Sequence, residues 1–147
     1  MNEAELAEYL TRSFESVDAL TVAGNHFFFY SPGPVPDHRL PFVTLMINDD
    51  NDAASKLGRP GIFRLNIGVG RKTYRSLFGP PPAAYVAPSG YDYTALDTLL
   101  PHPVYAQMGW VCVLNPSPAT FAALQPLLAQ AYERAVRRVS GGVRSAF

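Results

Sequence analysis

Apolar residues at helical spacing mark the beginning of the chain. Leu6, Leu10 and Phe14 follow one another at intervals of four residues, which predicts an amphipathic helix with one buried stripe. Asn2 stands three residues before Glu5, and this pair predicts a capping box at the start of the helix.

The same spacing returns near the end of the chain. Ser117 and Pro118 predict a helix start, because serine is a good cap and proline fits the first helical position. Pro126 lies inside this helix and predicts a kink. The residues of the apolar stripe are Phe121, Leu124, Leu128, Ala131 and Ala135. Residues 140–147 are predicted to form a flexible tail, which leaves 1–139 as a single domain.

Between these two helices the pattern changes to short runs that are typical of β-strands. The predicted strands are 19–23, 26–30, 42–47, 62–69 and 110–114, bounded by turn-forming residues. A short helix is predicted over 71–78. The segments 31–41 and 79–109 are predicted to be loops, the second with one helical turn around 94–100. This order favours an α+β fold in which the N- and C-terminal helices pack on one face of an antiparallel sheet.

Alternation along the strands assigns side chains to the two faces of the sheet. The face predicted to lie under the helices is apolar and comprises Val43, Leu45, Ile47, Phe63, Leu65, Ile67, Val69, Val111 and Val113. The opposite face comprises His26, Phe28, Tyr30, Phe42, Thr44, Met46, Arg64, Asn66 and Trp110. An aromatic face of this kind is expected to be shielded from water. Three groups could cover it: the segment 79–109, a second subunit or a ligand.

Composition and charge narrow the classes of function. The chain has 147 residues, no net charge and a single cysteine, Cys112, so it fits one domain without an intramolecular disulfide. A neutral chain argues against strong nucleic-acid binding, which normally needs a positive excess. Because no apolar run reaches the length of a membrane span and the first residues are acidic, we expect a cytoplasmic protein without a membrane partner.

No motif predicts a catalytic reaction, a cofactor or a metal site. Asp49, Asp50 and Asp52 crowd one turn, but they lack the glycine and the distal glutamate of a calcium loop, so a solvated turn is expected. Cys112 lies between two valines in a strand, where a structural role is more common than a nucleophilic one. We therefore expect a binding protein more than an enzyme.

One set of candidate ligand-binding residues belongs to the aromatic face. Arg64, Asn66 and Trp110 share this face, and His102 and Tyr105 precede Trp110 closely enough to close over it. An arginine beside aromatic rings suits a carboxylate, a phosphate or a flat ring. The alternative is that Arg64 hydrogen-bonds backbone carbonyls of the segment 79–109 and pins that segment to the sheet.

A second set lies on the short helix and is a candidate nucleic-acid site. Arg71, Lys72 and Arg75 are close in sequence, and Arg71 and Arg75 share a helix face at a spacing of four. Such a patch holds phosphates in some proteins and is an ordinary solvated face in others.

Short motifs resemble those of a known family. Arg64-Leu65-Asn66-Ile67 followed by Lys72 resembles the RLNL strand and helix of MmcQ/YjbR-like proteins, and the segment from His102 to Trp110 resembles their histidine–tryptophan segment. The segment 5–17 and Ala131-Tyr132 are similar to their opening and closing helices, so the resemblance covers most of the chain except 79–101. The whole chain most resembles a bacterial family of unknown function within that group.

The resemblance implies a CyaY-like fold and DNA as a partner, through a double-wing motif. Residues 106–109, where such proteins often carry basic side chains, are uncharged here. Three functions therefore stay open: a non-enzymatic binding module that binds DNA weakly, a small-molecule binder or enzyme with a pocket between the sheet and 79–109, and a homodimer joined through the open face.

Overall fold

Within residues 1–36 and 38–145, which the computed structural model describes, six antiparallel strands form one sheet. Side chains are described up to residue 140. The elements are α1 (Glu3–Ser13), β1 (Val17–Val22), β2 (Asn25–Tyr30), β3 (Val43–Met46), β4 (Arg64–Gly68), α2 (Arg71–Phe78), β5 (Leu100–Pro101), β6 (Trp110–Leu114) and α3 (Pro118–Ser145). The strand order is β1-β2-β3-β4-β6-β5, which confirms the predicted α+β class.

Both terminal helices begin where the sequence predicts. Asn2 Oδ1 accepts the backbone N–H of Glu5 at 2.9 Å, and the Asn2 N–H donates to Glu5 Oε1 at 3.1 Å, so the capping box is present. Ser117 Oγ accepts the backbone N–H of Thr120 at 3.2 Å at the start of α3. Because α3 continues to Ser145, it enters the predicted tail 140–147, most of which lies outside the residues with described side chains.

The main core lies between the sheet and the two terminal helices. Leu6 and Leu10 of α1, and Leu124, Leu128 and Ala131 of α3, are buried there. The strand residues in this core include Val43, Leu45, Leu65, Ile67, Val111 and Val113. The predicted apolar face under the helices is therefore confirmed, and packing on it holds both chain ends against the sheet.

The prediction for β2 was wrong about which face its side chains occupy. His26 pairs with Leu45 and Phe28 with Val43, and directly paired residues share a face, so both point toward the helices. Tyr30 lies on that side too, as does Phe42, whose ring contacts the ring of Tyr132 in α3. Almost every residue of β2 is aromatic, so the sequence does not indicate which of its two alternating sets of side chains faces the helices.

The open face, on the side away from the helices, is covered in large part by two loops of the same chain. In the loop 48–62, Leu57 packs with Met46 and Leu114 in a second, smaller core. In the segment 79–109, Leu100 pairs with Cys112 of β6 and is itself buried. Coverage by 79–109 is thus found, whereas coverage by 48–62 was not predicted. A ligand or a second subunit at the remaining opening stays a prediction.

The helical turn predicted around 94–100 is absent from the described structure of that segment. Leu96 instead forms a bridge with Leu114, and β5 pairs with β6. The edge of β6 offers unpaired backbone groups, which an extended segment satisfies. Pro101 is tolerated there because β5 is an edge strand. No helix among the described residues is long and apolar enough to cross a membrane.

Candidate functional site

A cavity of about 310 Å³ remains on the open face, where the sheet meets the loops 31–41 and 48–62 and the segment 79–109. Its walls are mostly apolar and include Phe27, Pro41, Met46, Met108 and Trp110. Of the predicted ligand-binding residues, Arg64, His102, Tyr105 and Trp110 line it. The structure thus brings four of these residues together around one space, within the size range of small-molecule sites.

Arg64 lies at the floor of this cavity and is held by a dense set of hydrogen bonds. Its side chain is 1% exposed. Nη1 donates to Asp52 Oδ1 at 3.0 Å and Nη2 donates to Asp52 Oδ2 at 2.6 Å, which makes the pair bidentate. Nη1 also donates to Ser55 Oγ at 2.9 Å, and Nε donates to Asn66 Oδ1 at 2.9 Å. The guanidinium therefore pins the loop 48–62, and not the segment 79–109, which was the alternative to a ligand-binding role.

The partners of Arg64 are themselves fixed. Burial disfavours the charged form of Asp52, but the hydrogen bonds and the charge of Arg64 outweigh it, so the pKa of this carboxyl is lowered. Asn66 does not line the cavity; it is buried beneath Arg64, and its Nδ2 donates to Thr44 Oγ1 at 2.9 Å. Asp52 and Ser55 were missed by the sequence reasoning, although a buried arginine implies a carboxylate partner, and an acidic turn lay close by.

His102 is 3% exposed and has one ring nitrogen fully engaged. Nδ1 accepts the backbone N–H groups of Val104 and Tyr105, both at 3.0 Å. A ring nitrogen that accepts cannot carry the proton, so the proton of the neutral ring lies on Nε2. Burial, aided by the charge of Arg64, lowers the pKa of His102 to about 3. His102 is therefore neutral near pH 7, and its Nε2–H has no acceptor among the described side chains and backbone groups.

Two glycines create the space that Trp110 and its neighbours occupy. Trp110 pairs with Gly68 in β4, where a Cβ atom would lie 3.0 Å from the indole ring. Gly109 has φ +81°, and a Cβ there would lie 2.2 Å from the backbone carbon of Gly70. Just before the turn at Gly109, the ring of Tyr105 lies beside that of His102, with ring centroids 5.1 Å apart.

The opening of the cavity is apolar with one cation. Tyr105 is 47% exposed, and Leu40 and Met108 are also exposed lining residues. Arg138 of α3 lines the same space, and no carboxylate in the described residues lies within ion-pair distance of it. Because Asp52 and Arg64 neutralise each other and His102 is neutral, the lining carries a net charge of about +1, from Arg138.

The predicted nucleic-acid residues lie elsewhere. Arg71, Lys72 and Arg75 are exposed on α2, and Arg71 Nε donates to the Gln107 carbonyl at 3.1 Å. Arg134 of α3 lies at the same end of α2, since its Nη1 donates to the Gly68 carbonyl at 2.8 Å and its guanidinium packs against Gly70. Burial, and then the charges of Arg137 and Arg71, lower the pKa of Arg134. The two helices thus form one basic surface, in which α3 supplies residues that the sequence reasoning did not include.

Two further groups that the sequence singled out, Cys112 and Asp49, serve structure. Burial raises the pKa of the Cys112 thiol to about 12, so the thiol is protonated and inert near neutral pH. Asp49 Oδ1 accepts the backbone N–H of Leu57 at 2.9 Å, which gives the acidic turn a structural role. No group of three or more His, Cys, Asp or Glu side chains in the described chain is placed to hold a metal ion.

A second hollow of about 400 Å³ lies near the start of α1 and contains none of the predicted site residues. Its polar groups have partners within the protein. Arg59 Nη2 donates to two carbonyls, those of Ser55 and Thr94, each at 3.1 Å. Asn115 accepts from Phe63 N–H and donates to the Gly61 carbonyl, both at 2.9 Å. The cavity on the open face is therefore the better candidate site.

Comparison with known proteins gives one match. The model of a family of unknown function, DUF6194, matches residues 1–144, a range that includes every residue lining the cavity. No curated protein and no solved structure matches the chain.

Proposed function

The chain belongs to the DUF6194 family of unknown function, and we propose that it binds a small organic molecule in the cavity on the open face of the sheet. One observation carries the proposal: mostly apolar walls surround a cavity lined by His102, whose Nδ1 is engaged within the protein and whose Nε2–H has no acceptor among the described residues. Small-molecule sites combine apolar walls with a few directed polar groups.

The chemistry of the lining supports binding more than catalysis. A general base near pH 7 needs a pKa close to the working pH, whereas His102 stays neutral down to about pH 3. Asp52 is occupied by Arg64, and Cys112, which is buried outside the lining, is held as a thiol. These groups suit a protein that holds a ligand without transforming it.

Trp110 provides the test, because it is the single tryptophan of the chain and lines the cavity. Purified protein is titrated with a panel of small aromatic and aliphatic compounds, and Trp110 emission is recorded. Protein as purified is also denatured, and the released small molecules are identified by mass spectrometry. We expect a saturable change in Trp110 emission with at least one class of compound.

Two exposed wall residues supply matched variants. Leu40→Ser and Met108→Ser remove apolar surface from the opening, and the change should weaken binding several-fold because this surface contacts the ligand. Leu77→Ser, at a comparably exposed position on α2 outside the cavity, is the control and should bind normally. Equal binding by all three variants would show that the emission change arises elsewhere.

The basic surface favours a second function, which we propose to be weak binding of nucleic-acid phosphates. Among the described residues, no carboxylate pairs with the basic side chains of α2 or with Arg134 and Arg137 of α3. The chain is neutral as a whole, so an unpaired basic surface at one end requires an excess of acidic groups elsewhere. The resemblance to MmcQ/YjbR-like proteins, which stays a prediction, points to the same partner.

Fluorescence anisotropy of labelled random duplex DNA tests this second function. Binding at low salt should disappear at moderate salt, since phosphate contacts release counterions. Lys72→Gln/Arg75→Gln should weaken it while keeping the contact between Arg71 and the Gln107 carbonyl. The control, Arg12→Gln/Lys56→Gln, removes the same charge at exposed positions outside this surface. A similar loss of DNA affinity in both double variants would show that binding depends on net charge alone, and would exclude the basic surface as the binding site.

A further inference from the structure

The polar groups of the cavity differ in whether they have partners inside the protein. The Asp52 carboxylate accepts from both terminal nitrogens of Arg64 and from the Ala54 N–H at 3.2 Å, so it is engaged. His102 Nε2–H and Arg138 have no partner among the described residues, and both are donors. The other polar lining residues, Thr44, Asn51 and Tyr105, are neutral, so Arg138 is the one unpaired charge of the lining among the described residues, and the one carboxylate is already paired with Arg64.

We propose that the ligand is a monocarboxylic acid with a flat apolar body. This inference rests on the proposed small-molecule function and names the ligand class of that site. The carboxylate accepts the hydrogen bond of His102 Nε2 and faces the charge of Arg138, while the ring of the ligand lies among Trp110, Phe27 and Met46.

Charge and size exclude other classes. An amine would meet Arg138 and find no free carboxylate in the lining, since Asp52 is paired with Arg64. A doubly charged phosphate needs several charged donors, whereas Arg138 is the one cation of the lining that has no ion-pair partner among the described residues. The volume of about 310 Å³ holds about ten water molecules at ~30 Å³ each, so a ligand of about ten non-hydrogen atoms fits.

Three probes with one ring and one chain length test the assignment: 3-phenylpropanoate, 3-phenylpropanamide and 3-phenylpropylamine. Each is titrated into the wild-type protein while Trp110 emission is followed, at low and at moderate salt. The acid should bind at least about tenfold more tightly than the amide, because its hydrogen bonds are charge-assisted. The amine should bind most weakly, and added salt should reduce only the preference for the acid.

Variants separate the two proposed contacts. Arg138→Gln should weaken binding of the acid and leave that of the amide unchanged, with Arg12→Gln as the exposed control. His102→Asn keeps an acceptor at the position of Nδ1 for the Val104 and Tyr105 N–H groups and removes the Nε2 donor. It should weaken binding of both the acid and the amide. His102→Gln keeps a donor near Nε2 and should retain part of the binding.

The outcomes distinguish this inference from the proposed function beneath it. If the amide or the amine binds as tightly as the acid, or if Arg138→Gln leaves the preference unchanged, the carboxylate assignment is overturned, while a ligand-binding cavity remains. If none of the three probes changes Trp110 emission at millimolar concentration, and no compound of the wider panel does, both proposals fail.

Discussion

Replacing Arg64 by alanine tests whether the buried pair with Asp52 holds the loop 48–62 against the sheet. The substitution removes a side chain that is 1% exposed and makes four hydrogen bonds. It leaves Asp52 without its counter-ion and leaves the Asn66 and Ser55 oxygens without their donor. Removing one partner of a buried ion pair typically costs about 3–5 kcal/mol, because the remaining charge stays desolvated.

We therefore expect Arg64→Ala to lower the free energy of unfolding by about 3–5 kcal/mol. Urea unfolding at pH 7, followed by far-UV circular dichroism and by Trp110 emission, measures this quantity. Arg12→Ala is the matched control, since Arg12 pairs with Glu8 at 2.8 Å on an exposed helix face. Its loss should be about 0.5 kcal/mol or less.

A double-mutant cycle with Asp52→Asn isolates the pair. Asp52→Asn should be destabilising in the wild-type protein, because it leaves the Arg64 charge buried, and much less so in Arg64→Ala. The coupling should be at least about 1 kcal/mol. A decrease in the free energy of unfolding of less than about 1 kcal/mol for Arg64→Ala, or a coupling near zero, would refute a pinning role. Arg64 would then be a candidate ligand-binding group again.

Three further predictions concern the turn at Gly109, the thiol and pH. Gly109→Ala should lower the free energy of unfolding by several kcal/mol, because the new methyl group would lie 2.2 Å from the Gly70 backbone. Gly90→Ala, where the methyl group meets open space, should lower it by only about 1 kcal/mol through backbone strain. Urea unfolding compares the two variants. Cys112, which is 0% exposed, should react slowly with a thiol reagent in native protein and fast in denaturant, and fast native labelling would contradict a structural role. Since the pKa of His102 is about 3 in the folded chain against an ordinary 6.5, only the unfolded chain takes up this proton between those values. The free energy of unfolding should then fall as pH drops below 6.5, by up to about 1.4 kcal/mol per pH unit, and His102→Asn should flatten this slope.

Local signals in the sequence determined the secondary structure and much of the core. The capping residues Asn2 and Ser117 and the four-residue spacing of Leu6 and Leu10 predicted helix starts that the structure confirms. These features depend on contacts within a few residues, so the sequence carries them directly. The strand with Leu65 and Ile67 was equally clear, because its alternation between polar and apolar residues is regular.

The candidate site was predictable only in part, because cavity walls depend on pairing between distant strands. Arg64 and Trp110 follow from alternation on β4 and β6, and the structure places them on the same face. The partner of Arg64 did not follow, since Asp52 reaches it through the path of a loop that carries no periodic pattern. Arg138 was also not predicted as a lining residue, because it reaches the opening of the cavity from the far end of a long helix.

The aromatic strand β2 shows most directly what only the tertiary structure decides. Its sequence, with aromatic side chains at both alternate sets of positions, fits either face equally well. The pairing of Phe28 with Val43, whose side chain lies under the helices, selects one of them. The sequence by itself therefore determined which elements form and where they begin. The register between strands, which sums many weak contacts across the sheet, decided which side chains lie in the core and which surround the cavity.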